Sequence, residues 1–140
     1  MNGLYDWCVQ NFAYPNQISS IDLSFNCLSN IPTDLVKFEG LKCLYLHGNK
    51  IFDLSEIDSL KKLKNLTALT IHGNPVENIN GFRFYILSKL PNLKHLNFSG
   101  LSKKDKQNSL IYVKSNKIAL KVNLDGDKKE SKANGSDDED

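Results

Sequence analysis

The side chains best suited to chemistry in this chain are its histidines and cysteines. His47 and His72 each precede Gly-Asn, in two His-Gly-Asn tripeptides that lie 25 residues apart. Such a pair could bind a transition metal, but a stable site normally needs three or four ligands. The three cysteines, Cys8, Cys27 and Cys43, form no Cys-x-x-Cys pair, and a scattered odd set fits reduced thiols better than disulfides or zinc ligands. We therefore expect no metal site and no cofactor.

Catalytic motifs are absent from the sequence. It contains no Gly-x-x-x-x-Gly-Lys-[Ser/Thr], no Gly-x-Ser-x-Gly and no His-Glu-x-x-His. Cys43 and His47 fall on one predicted strand, four residues apart. A strand rises about 3.3 Å per residue, so the two side chains are too far apart to share a proton. The sequence predicts a protein that is not an enzyme and has no small-molecule substrate.

A repeat places both histidines in equivalent positions. The spacing L-x-x-L-x-L-x-x-N-x-L occurs in ISSIDLSFNCL, LKCLYLHGNKI and LTALTIHGNPV, which begin at residues 18, 41 and 66. A fourth copy, LKHLNF, begins at residue 93 and has Leu101 at the asparagine position. The spacings of 23, 25 and 27 residues lie within the leucine-rich repeat range of about 20–29.

The repeat predicts the fold because alternate side chains of a strand point to opposite faces. Each copy should contribute one short parallel strand, with its leucines in the core. Residues 32–41 and 55–66 are predicted to form short helices, with Ser55 as the cap of the second. The asparagines should bond backbone groups of neighbouring coils, forming a ladder of Asn26, Asn49 and Asn74. The predicted fold is an α/β leucine-rich repeat solenoid, with strands on the concave face, helices on the convex face and helical caps.

The chain divides into four predicted parts. Residues 1–17 should form an N-terminal capping helix, and residues 18–101 the repeats with their C-terminal cap. Residues 102–124 form a basic extension, which could contact RNA, tubulin's acidic surface or the chain's own tail, or could simply be solvated. Residues 125–140 carry seven acids and three lysines and should be a disordered acidic tail.

The outward strand positions are the candidates for binding a partner, because a solenoid usually binds through its concave sheet. Tyr45 is the best single anchor, since tyrosine is enriched in hot spots, although ordinary cross-strand packing would also explain it. His47 and His72 should lie about 5 Å apart, the spacing of neighbouring strands. The predicted partner-binding residues are Asp22, Ser24, Cys43, Tyr45, His47, Thr70, His72, His95 and Asn97.

Composition limits the compartment and the partners. The first twelve residues contain no Lys or Arg, so they do not resemble a signal peptide. No run approaches the roughly 20 apolar residues that a spanning helix needs. We expect a cytoplasmic protein that does not bind a membrane. The net charge of +2 combines a tail of −4 with a body of +6, yet aromatic residues near the basic extension are few, so nucleic acid is not an expected partner.

The segment HGNPVENINGFRFYILSKLPNLKHLNFSG, with Gly-Asn-Pro, then Phe82-Arg83 and Leu-Pro-x-Leu, resembles the cap of the 22-residue-type intracellular leucine-rich repeat proteins. That family includes a phosphatase-1 regulatory subunit, a spliceosomal ribonucleoprotein subunit and an axonemal dynein light chain. The resemblance implies a cytoplasmic, non-catalytic binding protein linked to cilia or microtubules. It also implies a turn-supporting role for His47 and His72.

The leading hypothesis from the sequence is an adaptor that binds another protein with its concave sheet. The first alternative is a structural component of the ciliary axoneme or another microtubule assembly. The second is a ribonucleoprotein subunit.

Overall fold

The computed structural model describes residue 10 and residues 14–115 of the chain. The described strands are β1 (Ser20–Asp22), β2 (Cys43–Tyr45), β3 (Ala68–Thr70), β4 (His95–Leu96) and β5 (Ser99–Gly100). Short 3₁₀ helices cover Pro15–Gln17, Thr33–Lys37, Leu54–Lys62 and Pro75–Asn78, and α-helices cover Phe82–Lys89 and residues 103–115. The predicted N-terminal capping helix falls largely, and the acidic tail and residues 116–124 entirely, outside the described residues.

The strands form one sheet in the order β1-β2-β3-β4-β5. The first four are parallel, and the register places Ser20, Cys43, Ala68 and His95 in one row across the sheet. Asp22, Tyr45 and Thr70 form a second row. This is the solenoid register that the repeat spacing predicted, so the predicted fold class is confirmed.

The leucines of each coil fill a continuous core between the sheet and the convex helices. On the convex side Leu35, Phe38, Leu60 and Leu63 are buried, as their spacing predicted. The predicted cap of the third 3₁₀ helix is wrong by two residues. Asp53 is the capping residue, and its Oδ1 accepts from the backbone N–H of Ser55 at 2.9 Å and from the Ser55 hydroxyl at 2.7 Å. An aspartate before a helix satisfies an otherwise unpaired N–H in this way.

Asn49 links two coils through its buried side-chain amide. Its Oδ1 accepts from the backbone N–H groups of Asn26 at 2.8 Å and Leu28 at 3.0 Å. Its Nδ2 donates to the carbonyls of Leu23 at 3.0 Å and Leu46 at 2.9 Å. One side chain therefore satisfies backbone groups on both coils that the turn leaves without strand partners.

Asn74 repeats this arrangement one coil later, whereas Asn26 does not. Asn74 accepts from the Ile51 N–H at 3.0 Å and donates to the Leu46 carbonyl at 3.0 Å. Asn26 is exposed, and its side chain donates to the carbonyl of Ser24, two residues away, at 3.1 Å. Its place in the predicted ladder is corrected: within the described residues, no earlier coil offers it backbone groups.

The fourth coil ends in a hairpin that the repeat spacing did not predict. Asn97 and Phe98 connect β4 to β5, which pairs antiparallel, and both have positive φ, at 52° and 67°. This is the φ pattern of a type I′ turn. Asn97 accepts from the N–H groups of Ile71 at 2.7 Å and His72 at 3.1 Å, so it supplies the third asparagine of the ladder, after Asn49 and Asn74. Phe98, which occupies a leucine position and was expected in the core, turns outward.

The C-terminal cap contains the α-helix Phe82–Lys89. Phe82, Tyr85, Ile86 and Leu90 of this segment are buried, as predicted. The Tyr85 hydroxyl donates to Asp58 at 2.8 Å, which ties this cap to the preceding convex helix.

The helix over residues 103–115 lies against the cap rather than in solvent. Ser109 is buried and donates to the Phe84 carbonyl at 2.8 Å, and the Tyr112 ring stacks on Phe84 with 4.6 Å between centroids. The helix begins with a reciprocal cap: Ser102 N–H donates to Asp105 at 2.8 Å, and Asp105 N–H donates to the Ser102 hydroxyl at 3.1 Å. The first part of the basic extension is therefore a folded element. No helix among the described residues is long and apolar enough to cross a membrane.

Candidate functional site on the concave sheet

Five rings form a continuous cluster on the concave face, here called the aromatic patch. The Tyr45 and Phe98 rings stack with 5.9 Å between centroids, and His47 and His72 stack at 4.8 Å. Phe98 meets the His47 and His72 rings edge to face at 5.7 Å and 5.8 Å. Phe25 meets His47 edge to face at 5.3 Å. The patch thus spans three strands and the final hairpin.

The two phenylalanines of the aromatic patch are exposed and conformationally costly. Phe25 is 74% exposed and Phe98 is 67% exposed. Both have positive φ, at 57° and 67°. In the next two coils Gly48 and Gly73 occupy the position of Phe25. Glycine adopts the same left-handed backbone without the steric cost of a side chain. A left-handed residue other than glycine costs about 1–2 kcal/mol, and such outliers cluster at functional sites.

Hydrogen bonds below the surface fix the orientation of both imidazoles. His47 Nδ1 lies 2.7 Å from the Thr70 hydroxyl, and His72 Nδ1 lies 3.2 Å from Asn97 Oδ1. The Asn97 side-chain atom that faces His72 also accepts two backbone N–H groups, so this atom is the amide oxygen and not the nitrogen. His72 must therefore donate from Nδ1, so the neutral ring has an acceptor lone pair on Nε2.

Asp22 places a carboxylate at the edge of the aromatic patch, in register with Tyr45. Its Oδ1 accepts from the Ser24 N–H at 2.9 Å and from the Ser24 hydroxyl at 2.6 Å. Hydrogen bonds from the Ser24 hydroxyl and N–H lower the pKa of Asp22, and nearby His47 contributes in the same direction. Asp22 is thus ionised at neutral pH and held by its turn.

Some residues predicted to contact a partner lie elsewhere on the sheet. Cys43 is half-buried and His95 is exposed, both in the row outside the aromatic patch. Thr70 is 2% exposed, so it cannot contact a partner, and its hydroxyl serves His47 instead. Asn97 is half-buried and serves the ladder. The correction for Asn97 follows from the hairpin, which turns away from the strand direction that the spacing predicted.

The sequence reasoning missed the two phenylalanines. Phe98 was expected in the core, and Phe25 was not among the outward strand positions predicted to bind a partner. A signal was present for Phe25, since it replaces the glycine of the His-Gly-Asn turns. Cys27 is a free cysteine and is exposed. Within residues 14–115 and residue 10, no group of three or more His, Cys, Asp or Glu side chains could hold a metal ion.

A leucine-rich repeat family model matches residues 7–123, and the chain belongs to this family. Proteins built from such repeats generally act as non-catalytic protein-interaction modules. The chain is similar to leucine-rich repeat-containing protein 51 of Rattus norvegicus, with 40% identity over 118 residues, covering 84% of this chain and 62% of that protein. The Homo sapiens protein of that name is 40% identical over 107 residues, covering 76% of this chain and 56% of its own length. The chain thus spans less than two thirds of the length of these curated relatives.

Three further matches are one curated relative and two solved structures. A probable U2 small nuclear ribonucleoprotein A′ of Caenorhabditis elegans is 30% identical over 92 residues, covering 65% of this chain and 36% of that protein. A chain in the crystal structure of the Drosophila melanogaster SNF/U2A′ complex matches with a TM-score of 0.70 and 27% identity, covering 76% of this chain and 63% of that one. The Mex67 LRR domain from Chaetomium thermophilum shares the fold, with a TM-score of 0.63, 22% identity and coverage of 75% and 76%.

Proposed function

We propose that this chain is a non-catalytic cytoplasmic adaptor that binds another protein through the aromatic patch. The observation that carries the proposal is the pair Phe25 and Phe98, two exposed rings held at positive φ. Neither ring gains much from burial in the free protein. Glycine would relieve the backbone strain at both positions. We therefore expect the two phenylalanine side chains to contribute favourable free energy when they are buried in a complex.

The composition of the patch also supports a protein partner. Aromatic residues are enriched at the centres of protein interfaces, where large rigid rings bury area at low entropic cost. Tyr45 contacts two rings of the patch, Phe98 at 5.9 Å and His47 at 6.4 Å between centroids. The related structure of the SNF/U2A′ complex is itself an assembly of proteins, which is consistent with this use of the fold.

The experiment is a quantitative affinity purification of the tagged full-length protein beside the double variant Phe25→Gly/Phe98→Gly. Glycine suits the backbone at both positions, so the variant should fold while losing both rings. Phe52→Ala is the matched control, because Phe52 is 62% exposed and makes no ring contact with the patch. Partners lost only from the double variant would support the proposal. An unchanged set of partners would refute it.

A ribonucleoprotein subunit is the second candidate, favoured by the likeness to the U2 ribonucleoprotein A′ relative and to the SNF/U2A′ structure. In that case the captured proteins should include RNA-binding subunits, and part of the set should be released by ribonuclease. The axonemal alternative predicts instead that the protein stays with the detergent-resistant cytoskeleton. Fractionation of the same cells separates the three outcomes.

A further inference from the structure

We propose that the aromatic patch recognises a guanidinium group, presented by an arginine of the protein partner. This inference rests on the proposed function and adds the chemistry of the contact. The occupant is a positively charged, planar side chain, bound by ring faces and by acceptors at the edge of the patch.

The exposed ring faces supply the first element of recognition. The faces of phenylalanine and tyrosine rings carry negative potential and attract cations. Phe25 and Phe98 each meet the His47 ring, at 5.3 Å and 5.7 Å, so both exposed rings border one imidazole. Guanidinium is planar and weakly hydrated, and it stacks on such faces more readily than an ammonium group does.

Hydrogen-bond acceptors supply the second element. Both Ser24 bonds to Asp22 go to Oδ1, and Oδ2 has no protein donor within the described part of the chain. In its neutral form His72 adds an acceptor at Nε2, because its Nδ1 donates to Asn97. The Asp22 carboxylate lies in register with Tyr45, so negative charge and a ring face are adjacent. A cation that carries hydrogen-bond donors can bond to the carboxylate and stack on the ring face at the same time.

The distribution of charge supplies the third element. Residues 1–124 carry a net charge of +6. The outward positions of the concave sheet nevertheless contain one carboxylate, Asp22, and no Lys or Arg. The face therefore combines one carboxylate with several ring faces and no Lys or Arg on an otherwise basic body, which complements a cation.

The test is an NMR titration of the full chain with N-acetyl-arginine amide and, separately, N-acetyl-citrulline amide. Citrulline has the same shape but no charge. Arginine should shift the ring signals of Phe98, Phe25 and His72 and should bind about threefold tighter than citrulline, as expected for an exposed cation–π contact. Equal affinities, or shifts outside the patch, would overturn the inference.

Variants separate this inference from the proposed function. Asp22→Asn should weaken arginine binding relative to the unchanged protein, whereas Glu39→Gln, a matched loss of charge on an exposed convex residue, should not. If the patch variant loses its protein partners but arginine and citrulline bind alike, the adaptor function stands and the arginine inference fails. If the patch variant keeps its partners, the adaptor function itself fails.

Discussion

His47 and His72 stack face to face across neighbouring coils, with 4.8 Å between their centroids and 3° between their planes. Each imidazole is held from below, His47 by Thr70 and His72 by Asn97. The pair is therefore a rigid base on which the rings of Phe25 and Phe98 rest. Side chains fixed before binding lose little entropy on binding, which suits a recognition surface.

The asparagine ladder should be the most sensitive polar feature of the fold. Asn49→Leu leaves the N–H groups of Asn26 and Leu28 and the Leu23 carbonyl without this side-chain partner, while the Leu46 carbonyl keeps its bond from Asn74. The substitution should lower the free energy of unfolding by about 3 kcal/mol or more. Asn26→Leu is the matched control, since its side chain makes one local bond, and should cost less than about 1 kcal/mol. Urea denaturation of both variants measures the difference. Equal losses would contradict the ladder.

The hairpin predicts an inverted preference between glycine and alanine at position 98. Alanine is usually the more stable of the two by roughly 0.5–1 kcal/mol. Because Phe98 has a φ of 67°, Phe98→Gly should instead be about 1 kcal/mol more stable than Phe98→Ala. Thermal unfolding of the two variants tests this. A more stable alanine variant would show that the turn is not left-handed.

Acid should weaken the start of the last helix. Hydrogen bonds from Ser102, first from its N–H and then from its hydroxyl, lower the pKa of Asp105, and Arg83 adds to this effect from 3.8 Å. A lowered pKa in the folded state means that the carboxylate stabilises the fold above its ordinary pKa of about 3.9. That contribution is lost as the pH falls through the folded value. Hydrogen exchange across residues 103–115 should show this loss.

Asp105→Asn provides the control for that measurement. It should reduce protection of the helix at neutral pH and remove the additional loss in acid. Identical pH dependence in the variant and the original protein would assign the effect to other carboxylates.

Tyr85→Phe should cost about 1 kcal/mol at pH 7, because it removes the hydroxyl that donates to Asp58 at 2.8 Å. Burial, and then the bond to Asp58, raises the pKa of Tyr85 well above its usual range. The stabilisation is complete below the ordinary tyrosine pKa of about 10 and declines as the pH rises above it. The advantage of tyrosine over phenylalanine should therefore shrink in alkali. Tyr14→Phe, at a side chain that is 65% exposed, should be close to neutral in urea denaturation.

The regular part of the fold was predictable because its period is set by packing. A leucine spacing kept in three copies determines the strand register, and the parallel pairing follows it residue by residue. The cap helix was equally accessible, since Phe82, Tyr85, Ile86 and Leu90 have helical spacing and are buried.

The irregular part was not predictable from period alone. The leucine spacing predicted that β4 continues through Phe98. Asn97 instead adopts the left-handed conformation, and the chain reverses there. That one turn moves Phe98 out of the core and Asn97 into the ladder. The docking of residues 103–115 depends on Ser109 and Tyr112, single contacts that leave no repeating pattern in the sequence.

The central claim is that the aromatic patch is the surface that binds the protein partner. Hydroxyl-radical footprinting of the full chain, alone and with its purified partner, tests it most directly, because exposed rings are readily oxidised. Binding should protect Phe25, Tyr45 and Phe98 and leave Phe52 unchanged. Protection of the exposed Leu110 and Ile111 on the last helix, with the patch still fully reactive, would contradict the claim.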